Sequence, residues 1–360
     1  MAPFLLFLLM MISTNTTTTT CHAASNNNIN ITRSFPAILV FGDSTVDTGN
    51  NNFILSLFKS NHYPYGREFP NHIATGRFSN GRLVPDFVAS AFGIKEFIPP
   101  YLDPSLSDYE LRTGVSFASA GSGLDDLTSV VSKVIPMSAQ PTFFKKYIKR
   151  LERVVGKEEA NKIINGAFVV ISAGSNDILF NFYDTPARWF QFNITGYQDF
   201  LLQNLHDLVK QLYDLGCRTF AISGLAPLGC VPIQITAKFN NPFTRSCLED
   251  ENADARVYNS KLEKLIHTMQ ASLPGSEVIY LNIYDPVIDM INNPQKYGFV
   301  ETKRGCCGTG LVETGPLCNV FTPVCLNPSQ YLFWDAIHPS EAAYKVVSKS
   351  LLDSFFNHAS

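Results

Sequence analysis

Charge is scarce in this chain. Asp, Glu, Lys and Arg together make up 16% of its 360 residues, the net charge is −3, and Lys and Arg form no cluster. That excludes the electrostatic footprint of a nucleic-acid binder. Tryptophan is rare, with two residues, although Phe (28) and Tyr (14) are plentiful. No Walker A, His-Glu-x-x-His or Gly-x-Gly-x-x-Gly pattern occurs, which argues against nucleotide and zinc-protease chemistry. Gly-x-Ser-x-Gly is absent too, so the usual nucleophile elbow of an α/β hydrolase is not expected. Nor is there an apolar run of the ~20 residues that a membrane span needs. What remains is a chain 45% hydrophobic, rich enough in apolar residues to build a substantial core.

The N-terminal run Met1-Ala-Pro-Phe-Leu-Leu-Phe-Leu-Leu-Met-Met-Ile-Ser13 has the length of a signal-peptide core. Cys21-His22-Ala23-Ala24 offers small residues for cleavage, although the first basic residue is Arg33. We therefore expect a signal peptide at 1–24, a disordered Asn/Thr-rich linker at 25–34, one domain over 35–357, and a secreted, extracellular protein of the apoplast or cell wall. Cysteine usage agrees. Cys230 and Cys247 flank a loop, and Cys306, Cys307, Cys318 and Cys325 crowd a Gly/Pro/Thr-rich stretch. In an oxidising compartment such residues read as disulfides. The expected scheme is Cys230–Cys247, with Cys306 and Cys307 each joined to Cys318 or Cys325, and Cys217 left as a thiol. The adjacent Cys306-Cys307 pair suits zinc spacing poorly, so no metal is expected. Asn30-Ile-Thr and Asn193-Ile-Thr are N-glycosylation acceptors. Nothing in the chain specifies an oligomeric state.

Strand-like apolar runs recur at 37–42, 114–118, 167–172, 218–223 and 277–283, with helical periodicity over 139–165, 198–215 and 250–272. Such alternation predicts a mostly parallel sheet covered by helices on both faces. The Pro- and Gly-rich segments 60–110 and 300–330 are expected to be long surface loops near the site.

The first of those runs ends in Phe41-Gly-Asp-Ser-Thr45, which would project Ser44 from the carboxyl edge of the sheet, where open α/β folds bind ligands. Alone, Gly-Asp-Ser is also an ordinary strand-to-helix turn with a Ser cap. Near the other end, Asp335-Ala-Ile-His338-Pro339 puts an acid and a histidine three residues apart. A serine hydroxyl needs such a base, oriented by such an acid, to act as a nucleophile. It also needs donors for an oxyanion. Gly114-Val-Ser-Phe-Ala-Ser-Ala-Gly121 and Gly174-Ser-Asn176-Asp177 supply glycine turns and a side-chain amide at two further strand ends. Asp43 and Asp47 read as scaffolding. Arg77 and Arg82 serve either substrate or loop hydrogen bonds.

These blocks, in this order, resemble a plant GDSL-type esterase/lipase of the SGNH hydrolase superfamily. The likeness runs from Phe41 to about Ser348 and includes Thr75-Gly-Arg-Phe-Ser-Asn-Gly-Arg82 and Cys306-Cys-Gly-Thr-Gly310. Thr45 stands where the family name has Leu, and Ser116 where many relatives carry Asn. The resemblance implies an α/β, flavodoxin-like three-layer sandwich without cofactor or metal. It implies Ser44 as nucleophile, His338 as base and Asp335 as acid, with the Ser44 N–H, Gly121 and Asn176 as oxyanion donors. The implied reaction is hydrolysis of carboxylic esters, either acyl lipids or small acyl and acetyl esters, through an acyl-enzyme. An acyltransferase building a cutin-type polyester, or a cell-wall polysaccharide deacetylase, would use the same site. A binding module with a vestigial site is disfavoured by the complete residue set.

Overall fold

β-Branched and aromatic residues dominate the runs that become the central sheet. In the computed structural model of the chain, which describes residues 34–130, 132–185, 187–238 and 245–359, these runs are four strands. They are β1 (Ile38–Gly42), β2 (Phe168–Ser172), β3 (Thr219–Ser223) and β4 (Glu277–Leu281), in that spatial order and all parallel. The proposed leader at 1–24, the linker at 25–34 up to Arg33, and Asn30 lie outside the described residues.

Alternate residues of each strand face opposite layers. Leu39, Phe41, Val169, Ile171, Phe220 and Ile222 enter one core cluster, while Ile38, Val40, Phe168, Val170 and Ala221 enter another. The first core is covered by α2 (Gln140–Val155), α3 (Lys157–Gly166), α4 (Ile194–Asp214) and α5 (Glu249–Ser272). The second is covered by α1 (Val84–Ala91) and the terminal helix α7 (Glu341–Ala359). A short helix α6 (Tyr284–Asn292) packs with α7. The fold is thus a three-layer α/β/α sandwich, as the alternating pattern predicts.

Two expectations need correction. The 139–165 periodicity is two helices rather than one, broken at Gly156, where φ is +83°. The 114–118 run is not a regular strand. It lies beside β1, with N–H groups of Ile38 and Val40 donating to Thr113 and Val115 and the Phe117 N–H donating to Val40. Only isolated bridges form, Val40 to Ser116 and Pro100 to Ser116. On its outer side Ser116 pairs with the 99–101 backbone, donating its N–H to the Pro99 carbonyl and accepting the Tyr101 N–H, and the Asn50 side-chain amide adds donors to the Ser116 and Ala118 carbonyls. Counting this edge, the five runs lie in the order second, first, third, fourth, fifth, which is the doubly wound order of flavodoxin.

The Pro/Gly-rich segments are more than surface loops. Glu301–Gly305 (β5) pairs in parallel with Tyr331–Phe333 (β6). Tyr65, Phe78, Cys306, Cys307, Cys318 and Trp334 form a small core of their own. Cystines and aromatic rings bury readily, which draws both segments inward. The disulfides are Cys230–Cys247, Cys306–Cys325 and Cys307–Cys318, the last nested within the second. Cys217 is a buried thiol whose pKa burial pushes up.

Arg77 is buried and its guanidinium donates to both carboxylate oxygens of Asp86, at 2.8 and 2.7 Å, and to the Ile98 carbonyl. Asp86 also accepts the N–H groups of Leu83 and Ile98, tying the loops on either side of α1 to its first turn. Removing one partner would strand a charge in the interior. We predict that Asp86→Ala lowers unfolding stability by about 3–5 kcal/mol in urea titrations; a loss under about 1 kcal/mol would show that the pair is not stabilising these loops.

Candidate active site

β1 ends at Gly42 because nothing larger fits. A Cβ there would lie 2.1 Å from the Ser172 carbonyl oxygen, and φ is +150°. Asp43 turns the chain: its backbone carbonyl accepts from the N–H groups of Val46 and Asp47, and its Oδ1 accepts the N–H and hydroxyl of Thr45. Ser44 sits on this turn, nearly buried at 7% exposure. The Thr45 hydroxyl lies 3.0 Å from the Ser172 hydroxyl, so this departure from the family pattern is used to pin the turn.

The Ser44 Oγ is 2.8 Å from Nε2 of His338. Nδ1 of the same ring is 2.9 and 2.8 Å from the two oxygens of Asp335. Asp335 accepts four more hydrogen bonds: from the N–H groups of Ile337 and His338, the Tyr65 hydroxyl at 2.7 Å and the Thr314 hydroxyl at 3.0 Å. Burial alone would raise its pKa, but His338 and these donors outweigh it and hold the carboxyl below its ordinary value. An ionised carboxylate can only accept, so Nδ1 carries the proton and Nε2 offers its lone pair to Ser44.

The support for this pair is local and covalent. Phe333 leads from β6 into the late turn, and the Cys306 and Cys307 N–H groups donate to the Phe333 and Trp334 carbonyls. The nested disulfides therefore brace the peptide that carries Asp335. The His338 ring packs on Phe78, with centroids 4.8 Å apart.

Gly121, at φ +87°, borders the same cleft as Ser44, Asn176 and His338. A Cβ on it would come within 3.0 Å of the Phe58 ring. The N–H groups of Ser44 and Gly121 have no acceptor among the described residues. One N–H of the Asn176 amide donates to the Ser122 carbonyl at 2.8 Å, which sets the plane of the amide. The three expected strand ends do converge.

Several positioning residues were not singled out from the sequence. Asn51 donates to the Ala120 and Phe58 carbonyls, as Asn50 does to Ser116 and Ala118. Gln140 donates to the Gly42 carbonyl and accepts the Gly42 N–H. Tyr65 and Thr314 hold Asp335. The run of three Asn after Gly49 was a visible signal for the first pair; the others lie too far away in the chain to announce themselves. Asp47 behaves as scaffolding, accepting the N–H groups of Gly49, Asn50 and Ala120. Burial pushes its pKa up to about 6, against those donors. Ser116 donates to the Val46 carbonyl, so it braces the same loop. Arg77 is held by Asp86, and Arg82 lies 3.9 Å from Glu341 and over the Phe97 ring, so neither arginine belongs to the cleft. Asn193 is exposed, and its side-chain oxygen caps α4 by accepting the Gly196 N–H. Among the described residues no group of His, Cys, Asp and Glu is arranged to hold a metal.

The family model of GDSL-like lipases and acylhydrolases matches residues 38–351. The chain belongs to this family. Two GDSL esterase/lipases of Arabidopsis thaliana are close relatives of this GDSL chain. At2g31550 is 56% identical over 319 residues, 88% of each chain, and At2g30220 is 57% identical over 313 residues, 86% of this chain and 87% of its own. Among solved structures, an α/β hydrolase from the metagenome of Lake Arreo, Spain, aligns over 89% of this chain and 95% of its own, with 11% identity and a TM-score of 0.43.

In the Gly-Ser-Asn-Asp block of this GDSL chain, Asp177 is fully buried beneath Asn176, at the start of a π-helix over Asp177–Asp184. It accepts from the Leu124 and Asp125 N–H groups and the Thr128 hydroxyl. Burial still dominates and raises its pKa from 3.8 to about 7. A carboxyl with a raised native pKa holds its proton in the folded state and has lost it in the unfolded one. Stability from this group is therefore present at low pH and falls as pH rises from 3.8 to about 7. We predict that Asp177→Asn removes this dependence, gaining about 2–4 kcal/mol on the wild type between pH 4 and pH 7. Urea midpoints at several pH values check it, and parallel curves for the two proteins would refute it.

Proposed function

We propose that the chain is a secreted serine esterase working through an acyl-enzyme on Ser44. It is a carboxylic-ester hydrolase. The observation that carries the mechanism is the unbroken contact series from Asp335 through His338 to Ser44, opening on a cleft bordered by Gly121 and Asn176. As the Ser44 Oγ attacks the ester carbonyl carbon, its proton passes to Nε2 of His338. Asp335 stabilises the imidazolium without taking the proton. The carbonyl oxygen becomes an oxyanion and accepts from the Ser44 and Gly121 N–H groups and the Asn176 amide. Collapse breaks the ester C–O bond, and the departing alcohol takes the proton from His338. Water, deprotonated by the same imidazole, then attacks the acyl-serine, releasing the acid and restoring Ser44.

The hydrolase domain spans 35–357 and follows a signal peptide at 1–24. Three disulfides favour an oxidising compartment such as the apoplast or cell wall. Among the described residues no helix is long and apolar enough to cross a membrane. Asn193 carries a glycan through its amide nitrogen, which leaves its oxygen free to cap α4.

Ser44→Ala should fold normally and lose turnover by about 10⁴-fold or more, as triads do when one member is removed. A serine-directed phosphonate should label Ser44 in the wild type, and peptide mass spectrometry that finds the label on another residue would overturn the assignment. Asn176→Ala should lower kcat by about 10²–10³ with a smaller change in KM, because its amide meets the oxyanion chiefly in the transition state. Steady-state kinetics with unchanged kcat would remove Asn176 from the oxyanion site.

A further inference from the structure

The space at Ser44 is divided. One part is an open cleft of about 550 Å³. The other is a narrower slot of about 130 Å³ that starts at Ser44, Asn176 and His338 and extends between the sheet and α7. Away from Ser44 its wall is mostly apolar, with Phe333 and Tyr344 set among aliphatic side chains. Val170 and Leu281 come from the sheet, Val84 from α1, Val287 from α6, and Val347 and Leu351 from α7. Leu281 and Leu351 also line a separate hollow of about 770 Å³ against β4, so they form the partition at the far end of the slot. Interiors of folded proteins are close-packed, and an apolar void of this size stays dry and can take a small apolar group.

We propose that the slot holds the acyl chain of the substrate, that the cleft holds the alcohol part, and that the slot restricts the acyl group to about four to six carbons. The proposal rests on the ester-hydrolase reading and specifies its substrate class. The order of events decides which half goes where. The alcohol must leave before water can attack, and the acyl group stays bonded to Ser44 in between. The narrower slot suits the group that stays. The open cleft suits the group that departs and the water that replaces it. An alcohol in the slot would have to leave past the acyl group that blocks its exit.

Volume sets the length. An apolar cavity of about 150 Å³ takes the six carbons of benzene, so 130 Å³ takes about four to five carbons beyond the carbonyl. Each methylene transferred from water into an apolar wall improves binding by about fourfold. Esters should improve from acetyl to a maximum at butanoyl to hexanoyl and then fail as the chain meets Leu281 and Leu351. Long acyl lipids are thereby disfavoured relative to esters of short acids with bulky apolar alcohols.

The test uses p-nitrophenyl esters from acetate to decanoate, so that the alcohol part is constant. The full secreted chain is compared with Val347→Phe, which fills the slot, and Leu351→Ala, which opens its far end. Active sites are counted by titrating Ser44 with a small p-nitrophenyl phosphonate. For the wild type we expect kcat/KM to rise at least tenfold from acetate to the butanoate–hexanoate maximum and to fall at least tenfold by decanoate. Val347→Phe should lower the hexanoate-to-acetate ratio at least tenfold, and Leu351→Ala should move the maximum to octanoate or beyond. If Val347→Phe yields no titratable Ser44, the shift in Leu351→Ala alone decides. A wild-type profile that is flat or still rising at decanoate overturns the proposal, as does an optimum unmoved in titratable variants. Absence of turnover with every ester, and of Ser44 labelling, overturns the ester-hydrolase reading and the slot assignment with it.

Discussion

Gly42 is the position on which the site depends. It closes β1 at a point where a Cβ would strike the Ser172 carbonyl, so β1 and β2 can end side by side only if this residue has no side chain. Its own carbonyl accepts from the Ser119 N–H, the Ser122 hydroxyl and the Gln140 amide. Three separate parts of the chain are thus registered to one peptide group: the serine turn, the 114–123 segment and the start of α2. Every donor proposed for the oxyanion is placed relative to Ser44 through that peptide or through its neighbour Ser122, which accepts from Asn176.

Buried carboxylates do the rest of the positioning, and their surroundings set their roles. Asp335 is surrounded by donors and a basic ring and stays ionised. Asp47 and Asp177 accept mostly backbone N–H groups, and burial prevails over those bonds. The first can polarise an imidazole. The other two stitch loops together, Asp47 between 49–50 and 120, Asp177 between 124–128 and the π-helix. One residue type serves both purposes because a low-dielectric interior penalises charge unless enough donors and a basic partner offset the burial.

The late turn is supported differently. Asp335, Ile337 and His338 form a local knot in which one carboxylate binds two N–H groups and a ring within four residues. Such a knot needs an outer brace, and the nested disulfides with Tyr65, Phe78 and Trp334 supply it. The short pair of β5 and β6 strands and this cystine core turn a Gly/Pro-rich stretch into a wall of the cleft.

Much of this was legible in the chain. Ser44, Gly121, Asn176, Asp335 and His338 lie in short blocks whose residue types are needed together, and strand and helix periods are local properties that follow from which face each residue buries. The apolar runs therefore revealed the three layers, and the glycine turn at Gly121 revealed where an N–H group would be bare. What required the tertiary structure was pairing between distant positions. Tyr65 reaches Asp335 across 270 residues and Gln140 reaches Gly42 across 98, and no spacing encodes such partners. The choice of Cys325 for Cys306 and Cys318 for Cys307, the bracing of the irregular 114–118 edge by Asn50, and the apolar slot formed by α1, α6, α7 and the sheet were likewise decided only by packing. A sequence states which groups are available and which faces they prefer; the distances that make them act on one another arise when separate elements exclude water from the same place.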